Sequence, residues 1–130
     1  MSTPCALLVK TEDGYLTTYC HFDGYTDYMF PMLVKNYNSY EKALALVSLG
    51  DASYIAEKLE PTTDTHSFEH PEEGVCVFYH RDRGEDWLMN EPYYVNKEPR
   101  LHQFHYAYVF EDGYWTAYER AQKLEVENLC

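Results

Sequence analysis

Phe104-His105-Tyr106-Ala107-Tyr108-Val109-Phe110, then Glu111-Asp112-Gly113, then Tyr114-Trp115-Thr116-Ala117-Tyr118 reads as a β-hairpin. Large aromatic residues alternate with smaller ones along the first run, the period of two expected of a strand whose larger face packs on something. The Asp-Gly pair supplies a turn in which glycine accepts positive φ. The same form occurs near the start: Ala6 to Val9, Thr11-Glu12-Asp13-Gly14, and Tyr15 to Tyr19. Glu12 to Tyr19 and Glu111 to Tyr118 agree at six of eight positions. Nothing between them repeats, so this is shared hairpin chemistry rather than duplication.

Helices are the natural cover for the aromatic face. Met29, Met32, Leu33 and Tyr37 recur at helical spacing, and placing Pro31 within a first turn puts the start at Asp27 to Phe30. Asn38 with Glu41 has capping-box spacing ahead of Tyr40 to Leu49, which ends at Gly50. Asp51 is expected to cap a shorter helix to about Leu59. Thr62 to Glu73 is polar and acidic and is expected to be a mobile connection. Val75 to Tyr79, β-branched and aromatic, suits a central strand, and Tyr93 to Val95 another, bounded by Pro92 and Pro99. Glu119 to Leu129 has helical composition with a weak apolar stripe and reads equally as a frayed tail. These elements predict an α+β single domain, an antiparallel sheet of four to five strands with two to three helices, between Tyr28 and Leu59, on one face.

The apolar run at Val75 breaks into Tyr79-His80-Arg81-Asp82-Arg83-Gly84-Glu85-Asp86, the densest cluster of reactive side chains in the chain. His80-Arg81-Asp82 spells the protein-kinase catalytic triplet, but Trp87 stands where the metal-binding asparagine belongs, and no glycine-rich loop precedes it. His80, Asp82, Glu85 and Asp86 are eligible as general acids or bases. The alternating signs give a simpler account, in which Arg81 and Arg83 pair with the carboxylates and pin a tight loop. A zinc site from Cys20, His21, Cys76 and His80 fails on strand geometry, since Cys76 and His80 would lie about 13 Å apart along an extended chain. His102 and His105 would fall on opposite faces, and His66 and His70 have no evident third ligand. Cys20 and His21, adjacent on a strand, face opposite ways and are poorly placed as nucleophile and base. No metal or cofactor is expected.

The chain carries 22 acidic and 10 basic residues, a net charge of −12. That argues against direct contact with nucleic-acid phosphate or an anionic membrane and for a partner with a basic surface. Tyrosines number 14 against 6 phenylalanines, so much aromatic surface has a hydroxyl to satisfy. Four cysteines lack CxxC spacing, and neither a basic-then-apolar leader nor a run of roughly 20 apolar residues occurs, which predicts a cytosolic protein with reduced thiols. Nothing in the sequence fixes an oligomeric state.

Tyr19-Cys20-His21-Phe22-Asp23-Gly24-Tyr25, the Leu49-Gly50-Asp51-Ala52-Ser53 turn and Tyr79 to Asp86 together resemble a family of small uncharacterised bacteriophage and prophage proteins. The likeness runs from about Tyr19 to Tyr118. It implies expression in the cytoplasm of an infected bacterium and transfers no catalytic residue. By analogy with small acidic phage proteins, it points to a binder that inhibits a host nucleic-acid-handling protein (restriction, CRISPR or transcription machinery), its carboxylates standing in for phosphates. A small hydrolase or nucleotide-modifying enzyme using His80 to Asp86, and a virion structural or assembly protein, are the alternatives. The candidate binding residues are Cys20, His21, Asp23, Gly24, Tyr25, His80, Arg81, Asp82, Arg83, Glu85 and Asp86. The two motif loops are expected to meet, with Asp23 and Asp82 pairing with Arg81 or Arg83.

Overall fold

Two hairpins laid side by side form the centre of the sheet. The computed structural model describes residues 3–95, 101–120 and 122–124. The first hairpin is β1 (Cys5–Thr11) with β2 (Gly14–Cys20), and the second is β6 (Tyr106–Glu111) with β7 (Tyr114–Glu119). Between them come α1 (Thr26–Asn36), α2 (Tyr40–Ser48), β3 (Ala52–Tyr54), β4 (Val77–Phe78), α3 (Trp87–Asn90) and β5 (Tyr93–Val95); β8 (Gln122–Lys123) follows. The sheet order is β4-β3-β2-β1-β6-β7-β8, with β5 beside β2.

The α+β class is as read from the sequence, but among the described residues the sheet has eight strands and is mixed rather than antiparallel. The hairpins meet through their first strands, β1 parallel to β6 with Ala6 opposite Ala107 and Val9 opposite Phe110. This parallel join buries Cys5 to Val9 on both faces. It also sets both Asp-Gly turns at the same end of the sheet.

One face packs on the helices. Leu7, Val9, Tyr108, Phe110 and Trp115 meet Met29, Phe30, Leu33, Leu46 and Val47 in one cluster. The opposite face holds a smaller cluster of Ala6, Leu8, Ala107 and Val109, covered by Tyr15, Leu101, Phe104 and Tyr118. Tyr108 and Phe110 therefore face the helices as their alternation predicts. Phe104 does not, because it precedes the strand and folds back to the other side.

Helix α1 begins at Thr26, one residue before the predicted range, so Pro31 lies in its second turn. The bond its missing N–H would have made, to the Asp27 carbonyl, falls where Asp27 and Pro31 are both exposed, so the helix loses it on its solvent side. Ser39, not Asn38, caps α2, its Oγ accepting the Lys42 N–H at 3.2 Å. Tyr28 and Tyr37 tie α1 to the following strand region by donating to the Ile55 and Ala56 carbonyls at 2.7 and 2.6 Å. Burial pushes the Tyr28 hydroxyl up to about 12.

Three further expectations are corrected. Asp51 caps no helix: its carboxylate accepts the Tyr19 N–H at 3.0 Å, and Ala52–Tyr54 joins the sheet instead, a tertiary bond overriding a local cap signal. The predicted central strand at Val75 to Tyr79 is β4, at one end of the strand order. Within Glu119 to Leu129, read as either a helix or a frayed tail, Gln122–Lys123 is β8, antiparallel to β7; residues 125–130 lie outside the described residues, as does the His102 side chain weighed against His105.

The 62–73 connection, read as mobile, is clasped. The Glu72 carboxylate accepts both the backbone N–H and the hydroxyl of Thr62 and of Thr63, at 2.7 to 3.0 Å. Those bonds, the Thr62 hydroxyl first, hold Glu72 down at about 2. A depressed carboxyl contributes above its unfolded range and loses that contribution as pH falls through its folded value. The Thr62 and Thr63 amide shifts should therefore titrate with a midpoint near 2 by NMR; a midpoint near the ordinary 4.5 would mean that the clasp is open in solution.

Candidate functional site

Cys20, Ala52 and Phe78 form one row across β2, β3 and β4. The two motif loops leave this row in opposite directions. His21 and Phe22 continue along β3, donating to the Ala52 and Ser53 carbonyls at 3.0 and 2.8 Å. Tyr79 turns back the other way and donates to Asp51 at 3.1 Å. The reason is that β3 is parallel to β2 and antiparallel to β4. No hydrogen bond or ion pair among the described residues joins 21–25 to 80–86, so the predicted pairing of Asp23 with Arg81 or Arg83 across the loops is not made.

The first loop is the entry to α1. Cys20 is fully buried under the helices while His21 lies outside, its Nδ1 2.7 Å from the Tyr19 hydroxyl and its ring edge-on to Phe22. Asp23 is exposed at φ 58°, and among the described residues it pairs with neither arginine. Gly24 donates to the Thr3 carbonyl and accepts the Tyr108 hydroxyl, both at 2.7 Å; a Cβ there would strike Cys5. Tyr25 is the N-cap residue of α1 and keeps its ring exposed.

The second loop is built around the free edge of β4. An end strand offers unpaired backbone groups, which must be satisfied or covered. Here the outward groups are Cys76 O, Phe78 N–H and Phe78 O. Arg81 Nη2 donates to Cys76 O at 3.0 Å, the Asp82 carboxylate accepts Phe78 N–H at 2.8 Å, and the Asp82 N–H donates to Phe78 O at 3.0 Å. Arg81 and Asp82 clasp each other bidentately at 2.9 and 3.0 Å, and Arg81 Nη1 reaches Leu59 O at 2.8 Å. Side chains thus stand in for a missing neighbour strand.

His66 completes this cap from the clasped connection. Its Nδ1 accepts the Glu72 N–H at 2.9 Å, which places the proton on Nε2. Nε2 then donates toward Cys76 O at 3.2 Å, with Asp82 Oδ1 at 3.4 Å. The His66 and Asp82 side chains are only 1% and 4% exposed. Both groups are shielded from solvent, and an open hollow of about 410 Å³ lined by Ser67, Phe68, Glu69, Asp82 and Arg83 lies beside them.

The remaining polar groups of the loop are also engaged. Arg83 pairs with Glu85 at 2.9 Å and lies over the Phe68 ring at 4.4 Å. His80 Nδ1–H donates to Glu85 O at 2.8 Å, and its ring stands edge-on to Trp87. Asp86 caps α3 through the Leu88 N–H at 3.1 Å. As predicted, arginines and carboxylates pair within the loop, Arg81 with Asp82 and Arg83 with Glu85, and Asp82 also serves the backbone.

The fourth group in the zinc set, Cys76, is committed elsewhere. Its sulfur lies 3.2 Å from both the Ala56 N and the Tyr37 hydroxyl, and burial pushes the thiol up. Among the described residues, no three His, Cys, Asp or Glu side chains are placed to hold a metal ion. No helix among them is long and apolar enough to cross a membrane.

The surface features lie beside the motifs. Leu88 and Met89, on the single turn of α3, are 74% and 78% exposed. That turn is held from below: buried Asn90 donates to Asp86 O and accepts the Asp51 N–H, both at 2.8 Å. Tyr93 and Tyr94 follow, each half exposed, with Asp86 and Glu91 beside the tip. At the turn end of the sheet an open hollow of about 580 Å³ is lined by Glu12, Asp13, Asp112, Lys10, Tyr40 and Tyr94. Sequence reasoning passed over Leu88 and Met89, although an acidic cap followed by Trp-Leu-Met was a readable sign of a short apolar helix.

No known protein family, no curated protein and no solved structure matches this chain.

Proposed function

We propose that this chain is a non-catalytic binding protein that occupies a basic, nucleic-acid-handling surface on a protein of an infected bacterium. The carrying observation is where the reactive groups go. The charged side chains of 80–86 are bonded within the molecule, whereas large apolar and tyrosine side chains stand exposed around the rigid α3 turn. Paired apolar side chains on a fixed turn have the form of interface anchors, which become favourable once covered. Asp86 and Glu91 beside them, with the net charge of −12, favour a partner whose apolar pocket is rimmed by lysine or arginine. The resemblance to phage proteins supplies the setting, and carboxylates in place of phosphates supply the mode.

Immobilised protein should retain a bacterial protein from lysate at low salt and release it as ionic strength approaches about 0.5 M, where the Debye length falls below about 5 Å. Double-stranded DNA should compete for the retained protein. Leu88→Asp with Met89→Asp should weaken retention at least about 100-fold, the scale of two anchor residues. Absence of any retained protein, or retention indifferent to salt and DNA, contradicts the reading.

A further inference from the structure

Cys5 and Cys20 face each other across the first hairpin. The turn between its strands holds two residues, Glu12 and Asp13, so Thr11 and Gly14 form the closing hydrogen-bonded pair. Such pairs recur every second residue away from the turn. Val9 with Leu16, Leu7 with Thr18 and Cys5 with Cys20 are therefore all of this kind. Their Cα atoms stand about 5.5 Å apart, within the disulfide range, and their thiols are near enough to hydrogen-bond; the Cβ atoms, about 5.5 Å apart in such a pair, close to about 4 Å when the bond forms. Both cysteines belong to the cluster on the helix-facing side and are 2% and 0% exposed. The other described thiol, Cys76, is held by Ala56 and Tyr37.

We propose that Cys5 and Cys20 are a redox modification site, closing to a cross-strand disulfide when a low-molecular-weight disulfide oxidises them. One thiolate attacks the reagent R–S–S–R, forms a mixed disulfide and expels RS⁻. The second thiolate attacks the protein sulfur of that mixed disulfide and expels the other RS⁻. The two cysteine protons end on the two released RSH molecules, so one disulfide is reduced for each one formed. Gly24 sits against Cys5 with no room for a Cβ, and its N–H bond to Thr3 straps the site. Oxidation therefore requires local opening and is slow. Burial, then the neighbouring Cys20 thiol, raises the Cys5 thiol, so the rate increases with pH. The reduced hairpin belongs to the cytoplasm, and the closed one to a chain released into an oxidising medium.

The test is full-chain protein treated with 2,2′-dipyridyl disulfide, alkylated in denaturant and mapped by mass spectrometry. A peptide linking Cys5 to Cys20, with Cys76 alkylated, and a melting temperature raised by roughly 5–15 °C are expected. Cys20→Ser should yield no such link, and thiol reductant should reverse it in the wild type. Two separate pyridyl adducts at full oxidation, or a link from either cysteine to Cys76 or Cys130, overturns the proposal.

Discussion

Asp82→Ala is expected to destabilise the protein by about 3–5 kcal/mol, the cost of removing one partner from a buried ion pair. The carboxylate receives the Arg81 guanidinium and the Phe78 N–H and faces His66, and it is almost wholly buried. Alanine would leave the Arg81 guanidinium and the Phe78 amide short of their carboxylate acceptor together, while the His66 N–H keeps Cys76 O. Denaturant unfolding should show this as a lower midpoint with an unchanged slope. Asp23→Asn is the matched control: Asp23 is exposed, and asparagine tolerates its positive φ, so the change should stay within about 0.5 kcal/mol. A catalytic Asp82 predicts the reverse, since active-site groups are commonly held at some cost to stability and their removal is neutral or stabilising.

Gly50→Ala is expected to cost about 2–4 kcal/mol, combining left-handed strain with overpacking. Gly50 has φ +87°, and a Cβ built there would overlap the Asn90 carbonyl oxygen and crowd Trp87. Asn90 is the foot of α3, so the substitution should also displace Leu88 and Met89 and reduce partner retention. Gly84 isolates the two contributions. It has φ +77° but nothing within 4 Å of its would-be Cβ, so Gly84→Ala should show only the backbone cost of about 1–2 kcal/mol. Equal losses at both positions, by chemical denaturation, would mean that α3 does not rest on Gly50 in solution.

The hairpins were legible because their cues are local: alternation over a few residues and an Asp-Gly turn fix a strand pair without reference to the rest of the chain. Their parallel join was not, because which strand edges meet is decided by the 85-residue crossover between Cys20 and Tyr106 and leaves no short-range mark. The misread helix at Asp51 has a similar cause. Its carboxylate satisfies the Tyr19 N–H, 32 residues away in sequence, instead of its own following turn. Val75 to Tyr79 was apolar enough for a central strand because it is buried; what buries it on the outer side is a loop rather than a strand. Arginine–carboxylate pairing in 80–86 was readable from alternating sign. Its purpose, satisfying a strand edge, needed His66 and Cys76, which only the fold brings to it.

Amide hydrogen exchange at Phe78 tests the central claim, that Arg81 and Asp82 form an edge cap and not a reactive site, most directly. As an end-strand amide with a side-chain acceptor at 2.8 Å, it should exchange only through large-scale opening, with protection on the order of 10³ or more. In Asp82→Ala it should lose at least tenfold more protection than the central-strand amide of Leu8. A Phe78 amide that exchanges like an exposed loop in the wild type, or that keeps its protection in Asp82→Ala, would contradict the account.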